Sequence, residues 1–103
     1  MQHIGLNITN ERGDSVSKSD INFAPVLETV WKVEASKEKY PFLNGIDPYG
    51  DTYFNLYQSP KVIGELENLK RENVTESVLK EINDTIDFLK KVEQGISAKF
   101  IGD

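Results

Sequence analysis

Apolar residues alternate at the start of the chain, where Ile4, Leu6 and Ile8 are separated by Gly5 and Asn7. A period of two puts them on one face of an extended strand. Residues 10–14, Asn-Glu-Arg-Gly-Asp, read as a turn, with Gly13 able to take positive φ. The polar run Ser-Val-Ser-Lys-Ser-Asp that follows offers at most a short returning strand from Val16. From Asp20 the period lengthens. Phe23, Val26, Leu27, Val30 and Trp31 recur at three and four, one face of a helix. Asp20 or Asn22 is placed to cap it, and Pro25 fits only its first turn. The helix is expected to hold Trp31 in the core, to fade over residues 34–39 and to stop before Pro41.

Residues 41–58 carry no sustained helical period. Beyond them Ser59 is a suitable N-cap, and Pro60 fits the first helical position, where its missing N–H costs nothing. Val62, Ile63, Leu66 and Leu69 form the apolar stripe of that helix. Gly64 costs it about 1 kcal/mol relative to Ala, which suggests a close approach by another element. The strongest helical stripe is Leu79, Ile82, Ile86, Leu89 and Val92. Asn73 with Glu76 has capping-box spacing before it, Lys90 and Lys91 suit its C-terminal end, and Gly95 is a natural stop. Ile96, Ala98 and Phe100 then alternate as a final strand. The pattern predicts one α+β domain over residues 1–103. In it a small antiparallel sheet of two or three strands, with the N- and C-terminal strands pairing, packs against about three helices. The last two helices, joined near residues 72–75, should form an antiparallel hairpin.

Composition narrows the function classes. With 103 residues the chain supports one modest core. There is no cysteine, so disulfide and thiolate chemistry are excluded. No run approaches the roughly 18 apolar residues of a membrane span, and the start shows no secretory pattern. A cytoplasmic address is the expectation. Seventeen acidic against 12 basic residues give a net charge of −5. The basic doublets Lys70-Arg71 and Lys90-Lys91 sit among acids, which argues against nucleic acid and anionic membranes. Glu65, Glu67, Glu72, Glu76, Glu81, Asp84 and Asp87 are expected on solvent-facing helix surfaces, where their field would favour a basic partner. His3, the one histidine, has no nucleophile nearby in sequence and is expected on the solvent side of the first strand.

The densest stretch is PFLNGIDPYGDTYFNLYQSP, residues 41–60. Asp47-Pro48-Tyr49-Gly50 has the residues of a type I turn. Asp47 and Asp51 flank it and can accept backbone N–H groups. Asp51 or Thr52 can cap a short helical turn through Tyr53, Phe54 and Tyr57, with Phe42, Leu43, Ile46, Phe54 and Leu56 filling core space. Under that reading the segment is structural. A second reading uses Asp47, Asp51 and Asn55 as oxygen ligands for a cation, or the two carboxylates for acid–base work, although the spacing lacks the pattern of a calcium loop. A third uses the rings: Tyr40, Tyr49, Tyr53 and Tyr57 give large contact area at low entropy cost, as protein interfaces do, and a Tyr49–Tyr53 patch beside Asp47 and Asp51 would recognise a protein.

The stretch from Phe42 to Leu69 resembles a widespread family of small, uncharacterised bacterial proteins. The matching residues are Ile46-Asp47-Pro48-Tyr49-Gly50-Asp51-Thr52, Phe54-Asn55, Gln58 and the closing Phe100-Ile101-Gly102-Asp103. The resemblance implies a complete bacterial domain and marks these positions for testing. It implies no activity. The reading drawn from the sequence is a small cytoplasmic protein-binding module, in one form an inhibitor of its partner, with no cofactor and no metal. Its binding residues would be Asp47, Tyr49, Asp51, Thr52, Tyr53, Asn55, Tyr57 and Gln58, and its partner another protein or a second copy of the chain. The alternatives are a small enzyme or metal-binding protein using Asp47 and Asp51, and a structural loop with no direct ligand.

Overall fold

The computed structural model describes residues 3–102, so Asp103 of the closing motif lies outside the described residues. The chain runs β1 (Gly5–Asn10), β2 (Ser15–Lys18), α1 (Ala24–Lys32), α2 (Ser36–Lys39), α3 (Pro41–Asn44), β3 (Asp51–Phe54), α4 (Ser59–Leu69), α5 (Glu76–Leu89) and β4 (Ile96–Ile101). The strands form one antiparallel sheet in the order β2-β1-β4-β3. β1 pairs with β4 along its whole length, from Gly5 opposite Ile101 to Asn10 opposite Ile96. β3 adds outside β4, with Asp51 opposite Ile101 and Phe54 opposite Ala98. β2 is the other edge and carries a bulge opposite Ile8 and Thr9.

The period of two sends Leu6, Ile8, Ala98, Phe100 and Phe54 to one face, where they are buried with the helices. Phe100 is the hub, with the Phe23 ring 5.0 Å away and the Phe54 ring 5.8 Å away, both edge-on. Leu27, Val30, Leu43, Leu66, Ile82 and Leu89 close the core from the helical side. The opposite face carries Lys18, Asn7, Lys99 and Tyr53 in one row across all four strands.

The sheet therefore has four strands rather than two or three, and the described residues hold five helical segments rather than about three. β3 is the added strand. Asp51 and Thr52 begin a strand here, not a helical turn, because its pairing partner is β4, more than 40 residues along the chain. α2 and α3 are single turns, too short to show a period. Ala35, with φ of +57°, turns the chain between α1 and α2.

Several expected details also change. Trp31 is 45% exposed and outside the core, because Ala24, Val26, Leu27 and Val30 already form the buried stripe of α1. Thr75, not Asn73, caps α5 by accepting the Val78 N–H. Gly64 is exposed, and a Cβ there would meet nothing within 4 Å, so no close packing explains it. His3 is exposed. None of the helices described is long and apolar enough to cross a membrane.

Candidate functional site

Residues 41–60 divide into three locally stitched pieces. The first is α3. The Glu65 side chain, 8% exposed, reaches back from α4 to accept the N–H groups of Phe42 at 3.0 Å and Leu43 at 2.9 Å. A carboxylate at a helix start satisfies orphan N–H groups. Glu65 is thus a buried anchor and not part of a solvent-facing acidic surface. Tyr40, just before α3, is buried, and its hydroxyl donates to Glu72 at 3.0 Å. Burial first, and the hydrogen bond and charge of Glu72 next, push the Tyr40 pKa up to about 12. Glu72 is only half-exposed and also lies 3.9 Å from Lys39.

The second piece is the turn at residues 47–50. Asp47 Oδ1 accepts the Tyr49 N–H at 2.8 Å, and the Asp47 N–H donates to Thr52 Oγ1 at 2.9 Å. Gly102 closes the turn from the far end of the chain: its N–H donates to Gly50 O at 2.8 Å. A Cβ at Gly102 would stand 2.5 Å from the Pro48 carbonyl, so only glycine fits there. The two ends of the sequence motif, Asp-Pro-Tyr-Gly and the closing Gly102, are one contact in space.

The third piece follows β3. Asn55 Oδ1 accepts the N–H groups of Tyr57 and Gln58, while Gln58 Oε1 accepts the Asn55 N–H. This reciprocal pair is a capping box, and it begins the helical path that becomes α4. Ser59 is therefore not the cap. It is buried, and its hydroxyl faces Phe54 O at 3.5 Å.

These bonds divide the eight candidate binding residues. Asp47, Thr52, Asn55 and Gln58 use their side chains on the segment's own backbone. Tyr49, Tyr53 and Tyr57 do not, and are 73%, 49% and 78% exposed. Asp51 Oδ2 lies 3.6 Å from Lys99 Nζ, and that ammonium also sits 5.6 Å from the centre of the Tyr53 ring. The Lys99 pKa is raised, chiefly by the Tyr53 hydroxyl and then by the Asp51 charge, against an opposing effect of desolvation.

No family model, curated protein or solved structure matches the chain.

The pairing of β3 fixes what its outer side offers. The bond from Gly102 N–H to Gly50 O makes those two residues a hydrogen-bonded pair. Alternation then gives Thr52–Phe100 and Phe54–Ala98 the remaining bonds to β4. The N–H and C=O groups of Asp51 and Tyr53 point away from β4, to the open edge of the sheet. Tyr49 stands before this edge, Tyr53 on it and Tyr57 beyond it. Asp47 and Asp51 serve different partners, the turn backbone and Lys99. Among the described residues no group of three or more His, Asp or Glu is placed to hold a metal. Glu65, Glu72 and Lys99, which fix this segment, gave no signal in its local sequence, since each lies at least 20 residues away from what it touches.

Proposed function

We propose that the protein is a noncovalent protein-binding module whose contact surface is the tyrosine-bearing edge of the sheet. One observation carries this reading. Three tyrosines are exposed, one on the edge strand β3 and one in the turn on each side of it, on a backbone tied down by its own side chains. Tyrosine rings supply contact area with few rotatable bonds, and a rigid backbone lowers the ordering cost of association. The edge adds unpaired main-chain groups of the kind that recruit an extended partner segment. In its narrowest form the module would inhibit the protein it covers. A cytoplasmic site of action, and kinship with small bacterial proteins sharing the Asp-Pro-Tyr-Gly-Asp-Thr core, belong to the same proposal.

Affinity capture from source-cell lysate with quantitative mass spectrometry tests it. A partner held by the natural protein should be lost by Tyr49→Ala/Tyr53→Ala, with near-UV circular dichroism showing the fold retained. Undiminished capture by the folded double variant would remove the tyrosine edge from the interface. The open edge also supports a second reading, pairing between two copies through β3. Sedimentation equilibrium reads that directly: a monomer at high micromolar concentration rejects it.

A further inference from the structure

A cavity of about 190 Å³ opens at the end of the sheet where β1 and β3 finish and β4 begins. Asn10 and Glu11 form one wall, Asn55, Leu56 and Tyr57 the second, and residues 94–97 the third. Its size decides the kind of occupant. Small-molecule sites run from about 300 to 1,000 Å³, so this one suits a single long side chain. Its charge decides the sign. Glu11 is the only ionisable carboxylate among the lining residues, and no Lys or Arg lines it. Glu11 is in no ion pair among the described residues. Its carboxylate lies over Gly95, with Oε1 3.4 Å from where a Cβ on that glycine would stand. Arg12 borders a separate depression of about 250 Å³ that also touches Asn10, Glu11 and Gly95.

The walls are set before anything binds. Asn10 Oδ1 accepts the N–H groups of Arg12 and Asp14 at 3.0 Å each. The Asn55–Gln58 capping box holds the second wall. Gly95, with φ of +80°, turns the chain into β4. Tyr57 belongs both to this cavity and to the exposed tyrosine edge.

We propose that the cavity is an anchor site for an arginine side chain of the partner protein. The Glu11 carboxylate would receive the guanidinium, the Tyr57 ring would stack on its plane, and Leu56 and Ile96 would line its aliphatic stem. A planar cation with several donors fits a carboxylate beside an aromatic ring and scattered amide and hydroxyl acceptors better than a compact ammonium does. The proposal rests on the protein-binding reading and names the partner's chemistry at one end of that surface.

The test is an amide NMR titration of the full chain with the peptide acetyl-Gly-Arg-Gly-amide. A matched peptide with citrulline keeps the shape and removes the charge. The expected result is saturable shifts clustered at Glu11, Tyr57, Gly95 and Ser97. Binding should weaken at least about tenfold for the citrulline peptide and for Glu11→Gln, the loss of one charge-assisted hydrogen bond. Tyr57→Ala should weaken it as well. Both substitutions are at exposed side chains, so the fold should persist, and an unchanged amide spectrum elsewhere verifies that. Equal binding of the citrulline peptide, shifts centred on other acids, or no localised shift overturns the anchor site. If the arginine peptide is ignored while Tyr49→Ala/Tyr53→Ala still abolishes partner capture, the anchor falls and the tyrosine surface stands.

Discussion

Glu65 and Tyr40 fasten the same corner of the molecule by different chemistry. The Glu65 carboxylate holds two backbone N–H groups, those of Phe42 and Leu43. Glu65→Ala would leave both without an acceptor, and each such bond to a charged group is worth about 1.5–3 kcal/mol. Glu65→Ala should therefore be the most damaging single change among the acidic residues, with Glu65→Gln milder because the amide oxygen still accepts. Urea unfolding of the two variants measures this. Tyr40 predicts a pH effect. Its pKa is raised to about 12 in the folded chain, against about 10 when unfolded. The contribution is therefore complete below about pH 10 and is lost as pH rises through 12, because the unfolded chain releases the proton first. The stability advantage of the natural protein over Tyr40→Phe should be constant from pH 7 to 9 and shrink between pH 10 and 12. A constant difference across that range would show that folding does not raise the Tyr40 pKa. Neither role is visible in sequence. A Glu on a helical stripe looks like any solvated acid until the fold brings α3 against α4.

The helices and strands differ in how openly their sequences announce them. α5 carries its apolar period over several turns, so its presence is read directly, although it ends at Leu89 and buries Val78 and Phe88 rather than Leu79. α2 and α3 have one turn each, and no period exists over four residues. α4 offers a clean test of local propensity. Gly64 is exposed with open space where a Cβ would go, so Gly64→Ala should stabilise the protein by up to about 1 kcal/mol, read as a higher urea midpoint. Failure to stabilise would mean that the glycine relieves something in the folded chain. β3 offers a test of pairing. The Thr52 and Phe54 amides bond to β4, whereas those of Asp51 and Tyr53 face the open edge. Hydrogen exchange should be slow at Thr52 and Phe54 and fast at Asp51 and Tyr53. Uniform protection along the strand would mean that the edge is already covered, as in a dimer through β3.

At the scale of the whole molecule, sequence by itself determined the α+β character, the single core and the apolar faces of the terminal strands, of α4 and of α5. Those properties follow from short-range periodicity, because side-chain direction repeats with the local backbone geometry. It also determined the net negative charge and the absence of cysteine. Tertiary structure alone decided which residues of the 41–60 segment work on the fold and which face outward. Asp47 was legible as a turn acceptor, and Thr52, Asn55 and Gln58 stood beside the tyrosines as binding candidates, yet all four side chains close turns or begin a helical path. Only the pairing of β3 with β4 turned a supposed helical turn into an edge strand and put Lys99 between Asp51 and Tyr53. The contact between Gly102 and Pro48 joins residues more than 50 positions apart, and the cavity beside Tyr57 gathers three separate stretches of chain. No local pattern encodes such meetings. They arise when burial of the shared core brings β1, β3 and β4 together, and the loops at their ends are carried with them.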